Sequence, residues 1–76
     1  MNTIRRKKLT DIAAKIEEAK AGLEDARDEE QESFDNLPEG LQASERGQQS
    51  EAAVETLEST ISSLEDALAS LEEAAE

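Results

Sequence analysis

The sequence predicts an all-α protein: an antiparallel two-helix hairpin, coiled-coil-like, that pairs into a four-helix bundle. Apolar residues recur at alternating steps of three and four in two separate runs. That is the stripe of a helix that buries one narrow seam. Between the runs lies the one strong cluster of helix breakers, Asp35-Asn36-Leu37-Pro38-Glu39-Gly40. The expectation is a single unit over residues 1–76, with a helix over about 3–35, a break over about 36–43 and a helix over about 44–74.

The first run is Leu9, Ile12, Ile16, Ala19, Leu23 and Ala26; in the same register it continues through Glu30 and Ser33 to Leu37. The stripe therefore turns polar toward its end. Glu30 on a seam position weakens the core, fixes the register or marks where the hairpin splays. In the break, Pro38 has no amide proton and disfavours helix at Leu37. Gly40 tolerates positive φ, and Pro38 to Gln42 has room for a separate helical turn. Ser44 followed by Glu45 reads as the N-cap of the second helix, with Glu45 favourably placed against the dipole. The second run is Val54, Leu57, Ile61, Leu64, Leu68, Leu71 and Ala75; extended backwards it meets Ser50, Gly47 and Ala43. Arms of about 30 residues span roughly 45 Å each, and equal arms around a short break fold back on one another.

An antiparallel register can be tested within the sequence. Leu9–Leu71, Ile12–Leu68, Ile16–Leu64, Leu23–Leu57 and Ala26–Val54 share one index sum, 80. With Leu9 and Val54 as heptad a, the e positions set Lys20 near Glu58 and Arg27 near Glu51. Exposed pairs of this kind contribute only ~0.2–1 kcal/mol, so they select register rather than stabilise. Arg5, Arg6, Lys7 and Lys8 fall beside Glu72, Glu73 and Glu76. Each cluster alone opposes its helix dipole, and side by side they offset each other. The g positions are small: Ala53, Thr60, Ala67 and Ala74 on the second helix, with Gly22 on the first. They form a shelf on which a second copy or a foreign helix can dock, or an ordinary half-exposed face. One seam buries little area, so a homodimer is expected.

The charge is uneven. Residues 1–20 carry six Lys/Arg and three Asp/Glu, a net of +3; residues 21–76 carry two and seventeen, a net of −15; the total is −12. Such acidity opposes direct nucleic-acid binding and favours a basic protein partner. The basic start has no apolar run behind it, and no stretch approaches the ~18 apolar residues of a membrane span. A soluble, cytoplasmic protein without membrane contact is expected.

There is no His and no Cys, so the commonest acid–base, nucleophilic and zinc-ligand groups are missing. Gly22, Gly40 and Gly47 are scattered and form no phosphate-binding loop. The acidic cluster Asp25, Asp28, Glu29, Glu30, Glu32, Asp35 lacks the alternating ligands and central Gly of a calcium loop. Neither catalysis, nor a metal, nor a cofactor is expected.

Binding is then the expected activity. The candidate surface is the loop end: Asp28, Glu29, Glu32, Phe34, Asp35, Asn36, Leu37, Glu45 and Arg46. The alternative for the same residues is a specific turn, with Asn36 closing the first helix and Arg46 tethered to Glu30 or Asp35. Two other functions stay open: nucleic-acid mimicry, in which rows of carboxylates occupy the groove of a basic protein, and a structural coiled coil that assembles only with itself.

Three stretches carry a resemblance: Arg5-Arg6-Lys7-Lys8-Leu9, the run from Glu29 to Gln42, and Ser44-Glu45-Arg46-Gly47. Phe34-Asp35-Asn36-Leu37-Pro38-Glu39 and the following Ser-Glu-Arg-Gly are the most specific parts. The chain resembles, over nearly its whole length, small acidic helical-hairpin proteins of unknown function found in bacteria and in phages or prophages. The resemblance brings no functional residue with it. It implies a phage-linked or mobile-element setting, and an accessory protein that binds and modulates a host or phage protein, a defence system included.

Overall fold

The computed structural model describes residues 1–76. The chain is all-helical: α1 (Thr3–Asp35), α2 (Glu39–Gln42) and α3 (Glu45–Ala74). α1 and α3 pack along each other as a hairpin, and α2 leans on the start of α3. The result is a rod of 58 × 15 × 12 Å with a radius of gyration of 17.2 Å; a compact chain of this length would have about 11 Å.

Asn2 starts α1, its side-chain oxygen accepting the amide of Arg5 at 2.8 Å, the standard satisfaction of an orphan first-turn donor. Asn36 ends it in a right-handed conformation, donating its amide to the Glu32 carbonyl at 3.0 Å. Pro38 sits at the entry to α2, and its carbonyl accepts from both Leu41 (2.8 Å) and Gln42 (3.1 Å). The short helical turn expected between Pro38 and Gln42 is α2, with Gly40 inside it at negative φ. One turn expectation is corrected. Ser44 precedes α3, but its hydroxyl does not cap that helix; it donates back to the carbonyl of Leu41. The hydroxyl is held by the end of α2.

On α3 every heptad a and d position from Gly47 to Ala75 is at least half-buried. Gly47, Val54 and Ile61, spaced by seven, are its buried residues, with Val54 at 7% and Ile61 at 5% exposure. α1 is rotated from the expected stripe. Its half-buried row is Leu9, Ala13, Ile16, Lys20, Leu23, Arg27, Glu30, Phe34 and Leu37, which is a and e rather than a and d. Ile12, Ala19, Ala26 and Ser33 are exposed, Ile12 by 45%. Phe34, the one aromatic, sits on the e row with Lys20 and Arg27, which are half-buried there, as long side chains that cover apolar surface with their stems can be.

That rotation corrects the expected interhelical ion pairs. No Lys20–Glu58 or Arg27–Glu51 bridge forms; Arg27 Nε instead contacts Asp28 Oδ1 at 3.1 Å. At the open end, Arg6 donates to the Glu76 backbone carbonyl at 3.4 Å, and Lys7 reaches Asp11 of its own helix at 3.9 Å. The basic and acidic termini lie at the same end without ion pairs between them.

Candidate functional site

The loop end is held by residues the heptad pattern does not single out. The side-chain amide of Gln42 donates to the carbonyls of Phe34 (3.3 Å), in the last turn of α1, and of Leu37 (3.2 Å), just past its end. The backbone of Gln42 also lies directly on Gly47: a Cβ there would overlap its carbonyl oxygen and approach its Cα to 2.8 Å. Gly47 therefore marks a close crossing of α2 over α3. Gly22 and Gly40 have open space where a Cβ would stand. A glycine on the buried stripe of α3 was the available sequence signal; nothing in the sequence points to the amide of Gln42.

Beside this corner Glu30, Ser33, Leu37, Arg46, Gln49 and Ser50 line a cleft of about 300 Å³. Glu30, on its seam position, is half-buried in the wall of this cleft. Arg46 makes no ion pair with Glu30 or Asp35, so the expected tether is absent; Asp35 instead accepts from the Gln31 amide at 3.0 Å. The guanidinium is exposed and free to meet an incoming group.

Of the residues expected to bind a partner, Leu37 and Arg46 share this cleft. Phe34 opens on the other side of the seam, in a shallow groove with Gln31, Glu51, Val54, Glu55 and Glu58. Asp28, Glu29, Glu32, Asp35, Asn36 and Glu45 are exposed. On α1 the acids occupy heptad positions f, g, c and f, so they fan out rather than converge. No three carboxylates gather in a way that could hold a metal ion. Leu41, 47% exposed at the tip of α2, adds an apolar side chain beside the corner.

The docking residues fall along one side of the hairpin. Thr60 and Ala74 are exposed and Ala53 and Ala67 half-buried; Gly22 is exposed on the same side of α1. No helix is long and apolar enough to cross a membrane. No family model matches the chain, and no curated protein and no solved structure matches it.

Proposed function

We propose that this chain is a non-enzymatic protein-interaction module whose loop end receives a segment of a partner protein. The observation that carries the reading is the open cleft between Glu30 and Arg46. It offers a carboxylate and a guanidinium that are not paired with each other, hydroxyl and amide groups from Ser33, Ser50 and Gln49, and the apolar side chain of Leu37. Unspent ion-pairing groups beside one apolar side chain are what a partner's side chains can complete. Leu41, exposed on α2, is a second apolar side chain at the loop end. Double substitution of Leu41→Glu and Arg46→Glu tests the reading: both residues are exposed, so folding persists while partner capture is lost.

The module acts in the cytoplasm, the host's where the gene is phage-borne, as an accessory protein that modulates a host or phage protein. It works as a homodimer, with the hairpins paired into a four-helix bundle. It does not bind nucleic acid directly, because its charge repels phosphates.

One observation favours mimicry of nucleic acid as the second reading. Glu51, Glu58, Glu65 and Glu72 are all exposed along one edge of α3 and make no ion pair. At seven-residue steps they form a straight row about 10 Å apart. A mimic would be displaced by DNA and would lose its target steeply with salt.

A further inference from the structure

The cleft between Glu30 and Arg46 differs from the rest of the surface in what its side chains leave undone. Five of its six lining residues are polar: Glu30, Ser33, Arg46, Gln49 and Ser50. None of the five makes a side-chain hydrogen bond or ion pair within the chain. Elsewhere the hairpin satisfies many such groups itself. Thr10, Thr56, Thr60 and Ser63 each donate to a carbonyl of their own helix, and the Gln31 amide donates to Asp35.

The cleft is also built in place. Gln42 donates to the carbonyl of Leu37, the one apolar lining residue. The backbone of Gln42 packs on Gly47, next in sequence to Arg46. Both walls are thus tied to one corner, and a guest meets a cleft already formed, which lowers the ordering cost of binding. Its charge is mixed, unlike the surface around it. Arg46 is the one cation in residues 28–76, against fifteen acids.

We propose that the cleft takes a segment of a partner protein that carries a basic and an acidic side chain together, the basic one meeting Glu30 and the acidic one meeting Arg46. The inference rests on the interaction-module reading and names the chemistry of its partner. A segment with cations alone finds carboxylates all along α3, and at the cleft it meets a like charge in Arg46. A segment with anions alone is repelled by the acids of the loop end and drawn instead to the basic turn Arg5 to Lys8. The mixed segment alone is served better at the cleft than anywhere else on the hairpin. Charges arranged in this way select partner and position more than they add affinity. Glu30 is half-buried, and a charge pair strengthens as water is excluded from it. Arg46 is exposed, and its planar guanidinium suits a carboxylate. Ser33, Gln49 and Ser50 offer hydrogen bonds to the segment's other polar groups, and Leu37 gives its apolar atoms a contact.

Titration of the full chain with synthetic peptides, followed by NMR of its backbone amides, tests the proposal. The peptides form a set that varies the spacing between one lysine and one glutamate; reference peptides replace either residue with glutamine. At one spacing the mixed peptide is expected to shift the amides of Ser33, Arg46, Gln49 and Ser50 above all others, and neither reference peptide is expected to. Glu30→Gln and Arg46→Gln are each expected to weaken that binding about two- to fivefold, the scale of one exposed ion pair. Neither group is paired in the fold, so both variants are expected to keep the helical circular dichroism of the wild type. A set in which no peptide shifts these amides overturns the proposal. So does a lysine-only peptide that shifts them equally and binds Arg46→Gln more tightly than wild type. Capture from a host lysate separates the proposal from the reading beneath it. A partner that the Leu41→Glu, Arg46→Glu variant loses but Arg46→Gln holds more tightly keeps the loop-end reading and overturns the mixed-charge segment. A mixed peptide that binds the cleft of a chain capturing no partner supports the charge selectivity and removes the interaction-module reading.

Discussion

The carbonyl of Gln42 rests against the Cα of Gly47, at a spot where any side chain on Gly47 would collide with backbone. The same residue sends its side-chain amide to the carbonyls of Phe34 in α1 and Leu37 just beyond it. Gln42 thus joins all three helices, and the position of the loop end follows from this one contact. Gly47→Ala must push α2 away from α3. Overpacking of this kind typically costs about 1–3 kcal/mol. The expected outcome is a lower midpoint in urea at fixed protein concentration, with most of the helical circular dichroism retained before the transition.

Gly40→Ala is the matched contrast. Gly40 is helical, has negative φ and has open space at its Cβ. Alanine there is expected to stabilise by about 0.4–1 kcal/mol, chiefly by restricting the unfolded chain. A thermal melt alongside Gly47→Ala checks the opposite signs.

The core is short, so its few buried side chains carry unusual weight. Ile61 is 5% exposed and Ile4 71%. Ile61→Ala is expected to lower stability by about 2–4 kcal/mol and Ile4→Ala to change it by less than about 0.5 kcal/mol, as read by chemical denaturation.

Much of the architecture was legible because it depends on periodicity. The α3 stripe from Val54 to Ala75 lies on the side facing α1. The breaker cluster around Pro38 separates the helices. The α1 stripe was legible only by half. Its a positions serve either face of the helix, and Ile12, Ala19 and Ala26 are more apolar than Ala13, Lys20 and Arg27, so the sequence favours d. The structure turns the e row inward, with Phe34 and two long cationic stems on it. Hydropathy scores Lys20 and Arg27 by their charged ends and misses that long stems let such residues stand half-buried. The loop end was legible as a break but not as a site. Its acids scatter over different faces of α1, and the cleft shows in the sequence only as Glu30 and Ser33 on expected seam positions.

Lys20 and Glu30, both half-buried on α1, test experimentally whether the seam is closed along its length. Lys20→Leu falls in the closed part and is expected to raise stability by about 1 kcal/mol, as an added apolar contact does. Glu30→Leu falls beside the open cleft and is expected to stay within about 0.5 kcal/mol of the wild type. Paired thermal melts decide between a seam that splays at Glu30 and one that closes along its whole length.

The most direct test of the interaction-module reading is partner capture from a lysate of the native host, with wild type and the Leu41→Glu, Arg46→Glu variant run side by side at low and high salt and identified by mass spectrometry. The predicted result is a protein held by the wild type in high salt and absent from the variant, with equal helical circular dichroism in both. Retention of the same protein by both would contradict the account. So would a single basic nucleic-acid-binding protein that salt releases and DNA displaces, which would move recognition from the loop end to the carboxylate row of α3.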